Sequence, residues 1–370
     1  MSFTPLTIQN NSRINNRQSN FELLRVFSML IIVACHLTTQ GIGIYEQGSF
    51  INKVIAAMLY PGGLIGVPLF FMLTGYFLIG KKTFSLKKVF LETVFYGWLL
   101  AFILLIPYCM DKFLGCNFNY CSSKAILRKV INPVSSSRWW FVTAYTLLIL
   151  VVPYINQFLE KLNKSGFKFL IFVTWLFWYS GVSIFGIDIG ITPAFFFFLL
   201  GAYFKLYTPK AINKPLYLLL AILLWALMAI PYYFTNIDNA KIKLLKTVLD
   251  NFSNIFLIPL ASWLFFAIFA SLKIKQNHFI NTVAATTFGI YLIHVSSVKT
   301  IFYRDIFNVD LQYSSNFFPL FAIADIFLLF SFCSLIDYLR LKLIEKKMIS
   351  FADKLFEKLK NKFFINTVRT

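Results

Sequence analysis

Apolar residues in this chain come in runs of about 20, and the runs recur along almost its whole length. A helix needs about 20 residues to cross roughly 30 Å of hydrocarbon. The runs fall at 21–40, 53–79, 88–107, 139–157, 167–185, 191–206, 215–234, 251–272, 279–298 and 316–340. They predict an all-α integral membrane protein with about ten transmembrane helices, a polar tail over 1–20 and a basic segment over 341–370. Composition agrees: 58% of the 370 residues are apolar and only 14% are charged, against about 25% in a soluble domain. One globular core could not cover that much apolar surface. The second run contains Pro61, Gly62, Gly63 and Pro68, so a break or kink is expected there. Membrane helices tolerate this where the freed backbone faces protein or water.

The charges set an orientation. Lys and Arg outnumber Asp and Glu by 35 to 15. They sit in short connecting segments and form no continuous basic surface, which argues against a nucleic-acid partner. Arg13 and Arg17 precede the first run. Lys81, Lys82, Lys87 and Lys88 follow the second, and Lys161, Lys164 and Lys168 the fourth. Lys205, Lys210 and Lys214 follow the sixth, and Lys273 and Lys275 the eighth. The intervening loops hold Glu46, Asp111, Asp188, Asp238, Asp305 and Asp310. Basic loops are retained on the cytoplasmic side, so both termini are expected in the cytoplasm. The longest loop, with Lys112, Lys124, Arg128, Lys129 and Arg138, runs against the pattern, but long segments obey the rule poorly. No small-residue cleavage site follows the first run, so no cleavable signal peptide is expected.

Beyond the tenth run, Leu341, Ile344, Met348, Phe351, Leu355 and Leu359 recur at helical spacing with lysines opposite. Such a helix lies on an anionic inner leaflet or packs, solvated, on the cytoplasmic loops. The five cysteines show no metal spacing. Cys35 and Cys333 lie in apolar runs as small core residues; Cys109, Cys116 and Cys121 flank one loop, where unpaired thiols are the preferred reading over an oxidised pair.

The first run, NFELLRVFSMLIIVACHLTTQG, carries Arg25 and His36. Eleven residues at about 100° each bring His36 within roughly 20° of Arg25, some 16 Å further along the helix. Both therefore share one face, and Glu22 can pair with Arg25 one turn away. An ionisable residue at membrane depth is a functional candidate. The bland alternatives are an arginine that snorkels to the interface and a histidine that is merely packed and hydrogen-bonded. In the ninth run, TFGIYLIHV, Tyr291 and His294 also share a face; His278 reads as interfacial. Arg138, Trp139 and Trp140 open the fourth run, where an aromatic girdle explains the tryptophans equally well.

Four pieces, in order, resemble acyltransferase family 3, a family of multi-pass membrane acyltransferases. Arg25 and His36, within ELLRVFSMLIIVACH, reproduce the family's Arg–ten residues–His motif. VPLFFMLTGYFL is similar to the second-span signature, with Thr74 before Gly75 where Ser is commoner. WWFVTAYTLLILVVPYIN and the Tyr-x-x-His of TFGIYLIH resemble members that O-acetylate surface polysaccharides. One departure stands out. Where many members carry Arg-x-x-Arg after the second span, this chain has KKTFSLKKVFLET, and lysine lacks the bidentate fork of arginine. The chain also ends without the esterase-like domain some relatives append.

The resemblance implies a membrane O-acyltransferase of the bacterial cytoplasmic (inner) membrane. Acetyl-CoA would be the donor substrate and a surface polysaccharide or lipid-linked glycan the acceptor, with no resident cofactor or metal. Arg25, Lys87 and Lys88 would meet the phosphates of coenzyme A. His36 would act as base or acyl carrier, with Arg25 as its catalytic companion. Tyr291, His294 and Trp140 would contact the acceptor or the developing oxyanion. A transporter or flippase for a glycan or small anion is the alternative, since it too needs broken helices and buried ionisable residues.

Overall fold

The structure is a computed structural model that describes residues 17–42, 48–82, 85–116, 122, 126–127, 130–131, 139–179, 190–208, 212–234, 239–296 and 298–367, the side chains of 179 and 359–367 excepted. Arg13, Glu46, Cys121, Lys124, Arg128, Lys129, Arg138, Asp188, Lys210, Asp238, the stretch 180–185 and the Leu359 side chain lie outside the described residues.

Every regular element among the described residues is helical. In chain order they are α1 (Ser19–Gly41), α2 (Phe50–Leu59), α3 (Pro61–Leu78), α4 (Lys87–Leu114), α5 (Trp140–Leu159), α6 (Lys164–Tyr179), α7 (Ile191–Tyr207) and α8 (Lys214–Tyr233). Then follow α9 (Ala240–Phe252), a π turn, α10 (Ile258–Ala270), α11 (His278–Ala285), α12 (Thr287–His294), a second π turn, α13 (Val309–Tyr313), α14 (Phe318–Leu343) and α15 (Glu345–Thr367).

Seven of these stretches are long and apolar enough to cross a membrane: Ser19–Gly41, Phe50–Leu78, Lys87–Leu114, Trp140–Leu159, Lys214–Tyr233, Ala240–Ala270 and Phe318–Leu343. The chain is a multi-pass membrane protein. Three expected spans coincide with shorter helices: 167–185 with α6, 191–206 with α7, and 279–298 with the α11–α12 pair. The expected break in the second span lies between α2 and α3, with Pro61 in the first turn of α3, where its missing N–H has no partner to lose.

In lipid, helices associate through close packing, and small residues permit it. Helix α3 is the clearest case, held between α1 and α7. A Cβ at Gly62 would stand 2.2 Å from the Ile31 carbonyl oxygen, and one at Gly66 2.6 Å from that of Ser28, both on α1. On the opposite side a Cβ at Gly75 would meet the Phe198 carbonyl oxygen at 1.9 Å, and one at Gly201 would meet that of Met72 at 1.9 Å. The α3 and α7 backbones therefore touch directly. Asn156 of α5 closes the C-terminus of α3, donating to the Leu78 and Lys81 carbonyls at 2.8 Å each.

The split between α11 and α12 falls at two threonines that bond back to their own helix. Thr286 donates to Val283 O at 2.8 Å and Thr287 to Ala284 O at 2.9 Å, a pattern that bends helices. Beside it lies an ionic cluster that joins α4, α14 and α15. Arg340 contacts Asp337 at 2.6 Å, Glu92 at 3.1 Å and Glu345 at 3.6 Å, and Tyr96 donates to Asp337 at 2.8 Å. Asp337 is fully buried and Arg340 nearly so. Removing one member of such a cluster costs about 3–5 kcal/mol, because the others stay buried without a partner.

Candidate active site

Arg25, Met29, Ile32 and His36 follow one another at helical spacing along one face of α1. The first three line a cavity of about 370 Å3 enclosed by α1, α3, α4, α5, α11 and α12. Its mouth is cationic, with Arg17, Arg25 and Lys88. Glu22, which is buried, holds both arginines, Arg25 at 2.8 Å and Arg17 at 3.6 Å. The pairing of Glu22 with Arg25 expected from their spacing is therefore present. Lys88 is bonded to Glu345, and Lys87, outside the cavity lining, to Asp353. At the deep end stand Ile32, Val67, Phe141 and Tyr291, with the rings of Phe141 and Tyr291 edge to face at 5.4 Å.

One helical turn beyond this end, His36 meets His294. Their Nδ1 and Nε2 atoms lie 3.0 Å apart, across 258 residues of sequence. Nδ1 of His294 lies 2.6 Å from the Ile290 carbonyl oxygen. A carbonyl oxygen can only accept, so Nδ1 of His294 carries the hydrogen. With the ring neutral, its Nε2 offers a lone pair, and the bond to His36 is donated by His36 Nδ1–H. Nε2 of His36 is then left as an open lone pair. The network thus assigns one tautomer to each ring.

The structure places the sequence candidates unequally. His36 is half-buried, whereas His294 is fully buried, with one ring nitrogen on a carbonyl and the other on His36. Tyr291 lines the cavity, and its buried hydroxyl lies against the Phe141 backbone N–H, with no acceptor for its own hydrogen among the described residues. Trp140 stands apart from the cavity lining. It is 39% exposed at the start of α5, against the Phe141 ring and Gly190, while its neighbour Trp139 is buried.

The family model for an acyltransferase domain matches residues 18–338, most of the chain. The chain belongs to acyltransferase family 3. No curated protein and no solved structure gives a match. Membership in this acyltransferase family makes the chain a membrane acyltransferase, in which a donor and an acceptor must meet.

Within that frame, Thr74, which stands where family members more often carry Ser, lines the cavity and donates to Phe70 O at 2.8 Å. Its hydroxyl also lies within hydrogen-bonding reach of the Tyr145 side chain. Sequence reasoning did not single out Arg17, Phe141 and Tyr145 as cavity residues, or Asp337 and Arg340 as the centre of the ionic cluster. Arg17 carried only the ordinary signal of a basic tail, and the two aromatic residues none. For Asp337 and Arg340 a signal was present: two opposite charges three residues apart at the end of an apolar run. Among the described residues no three His, Cys, Asp or Glu side chains converge as a metal site. Cys35 and Cys333 are free and buried, and Cys109 and Cys116 are free.

Proposed function

We propose that this membrane acyltransferase moves an acetyl group from cytoplasmic acetyl-CoA to a hydroxyl of a surface polysaccharide or of its lipid-linked precursor. It would do so in the bacterial inner membrane, with ten crossings and both termini in the cytoplasm. The observation that carries the reading is the His36–His294 pair, fixed at 3.0 Å one turn beyond the closed end of a cavity with a cationic mouth. Arg17, Arg25 and Lys88 suit the phosphates of coenzyme A, and the apolar walls suit its arm. The thioester then arrives beside Tyr291 and below His36.

There the steps follow from the tautomers. Nε2 of His36 takes the proton of the acceptor hydroxyl as the oxygen attacks the thioester carbonyl. Tyr291 donates to the oxyanion of the tetrahedral intermediate, a role open to a hydroxyl whose own hydrogen has no acceptor among the described residues. As the carbon–sulfur bond breaks, the imidazolium returns its proton to the departing thiolate. His294 touches no reacting atom; it is a positioning residue that keeps Nδ1 of His36 protonated and Nε2 open.

Purified protein in lipid nanodiscs, given radiolabelled acetyl-CoA and a membrane glycan fraction, should place label on the glycan. Glycan that crosses a vesicle membrane without gaining label would replace this reading with the transporter.

A further inference from the structure

Helix α15 reaches the cavity mouth from below. Its Glu345 bonds to Lys88 and, one helical stretch later, its Asp353 bonds to Lys87. Met348 and Ile349 of α15 pack on the same α4 surface, beside Leu91 and Glu92. At 100° per residue, Glu345 and Asp353 point within about 80° of each other, toward α4. The other flank of the helix is different. Phe351 and Leu355 lie within about 40° of each other, and Lys347, Lys354 and Lys358 within about 40° on the adjoining strip. Phe351 is 69% exposed and Leu355 48%, and the three lysines are exposed. An exposed aromatic ring and leucine bordered by lysines, on a helix that continues directly from the membrane-crossing α14, match an anionic lipid surface in both apolarity and charge.

We propose that α15 is a strap between the lipid leaflet and the donor mouth. Its Phe351 and Leu355 face docks on anionic lipid, and in that position Glu345 and Asp353 occupy Lys88 and Lys87 in place of donor phosphates. Coenzyme A must exchange these carboxylates for its own phosphates, so the strap lowers donor affinity and sets a threshold for occupancy. The competition, though not the docking, rests on the reading of an acyl-CoA donor.

Two full-length variants separate the faces. Glu345→Gln with Asp353→Asn breaks the two lysine pairs, together with the Glu345–Arg340 contact at 3.6 Å, and leaves the lipid face; Phe351→Ser with Leu355→Ser does the reverse. Each is reconstituted in nanodiscs of phosphatidylcholine alone or with one-fifth phosphatidylglycerol. Hydrogen exchange of residues 345–358 and coenzyme A binding by calorimetry are then measured. In the wild-type protein these amides should exchange more slowly in the anionic discs, and the Phe351/Leu355 variant should lose that difference. The Gln/Asn variant should bind coenzyme A roughly two- to tenfold more tightly, the range two partly exposed ion pairs allow. Glu357→Gln, which removes one exposed α15 carboxylate outside both pairs, should leave binding unchanged.

Equal exchange in both lipids would overturn the docking, as would equally slow exchange in both, which points to a second copy or another protein as the cover. Unchanged affinity in the Gln/Asn variant, or an equal gain in Glu357→Gln, would overturn the competition. If no protein binds coenzyme A, wild type included, the donor reading falls and takes the competition with it. The exchange data then decide the docking alone.

Discussion

At the scale of single residues, the site rests on two imidazoles and the carbonyl that orients them. His36 and Arg25 were legible in the sequence, because two ionisable residues eleven apart on an apolar helix share a face. His294 was legible as a residue at membrane depth, but not as the neighbour of His36. Periodicity orders residues along one helix and says nothing about which helices meet. The tautomer assignment makes a specific prediction for His294. Leu at 294 removes the acceptor that holds Nδ1–H of His36, so kcat should fall about tenfold or more while KM for acetyl-CoA stays near the wild-type value. Gln at 294 can accept through its amide oxygen and should recover much of kcat. If His294 only fills space, Leu should serve better than Gln, and steady-state kinetics on the two variants will show which holds.

At the scale of helices, apolar run length located the long spans, and Pro61 marked the break between α2 and α3. The split between α11 and α12 was not legible, since it depends on hydroxyls bonding back to the helix and TTFGIYLIH otherwise reads as one apolar stretch. Nor was the direct backbone contact of α3 and α7, because a lone glycine in an apolar run does not name its partner. That contact yields a second prediction. Gly201→Ala forces a methyl group to within 1.9 Å of Met72 O, so α7 must move off α3. Overpacking of this kind costs about 1–3 kcal/mol, and the variant should show a lower Tm in detergent. Gly166→Ala is the control: its methyl group meets only ordinary contacts, the nearest at 3.4 Å. Equal Tm values for the two variants would mean that α3 and α7 are not held this closely.

At the scale of the whole molecule, the arrangement separates two tasks along one axis. Cations at the mouth would receive the proposed charged donor, the aromatic pair Phe141 and Tyr291 closes the deep end, and the histidine pair stands one turn beyond. The ionic cluster around Arg340 ties α4, α14 and α15 together beside the mouth. In the proposed mechanism His36 is the base, and one substitution tests it. Gln at 36 keeps much of the size and polarity of histidine and can still bond to His294, but it takes no proton near neutral pH. General-base catalysis contributes about 100- to 10,000-fold in rate. Acetyl transfer by His36→Gln, measured at matched protein level in nanodiscs alongside coenzyme A affinity, should therefore fall by at least about 100-fold while the affinity is retained. Transfer within a few-fold of wild type would contradict the account and return His36 to the role of a packed polar residue.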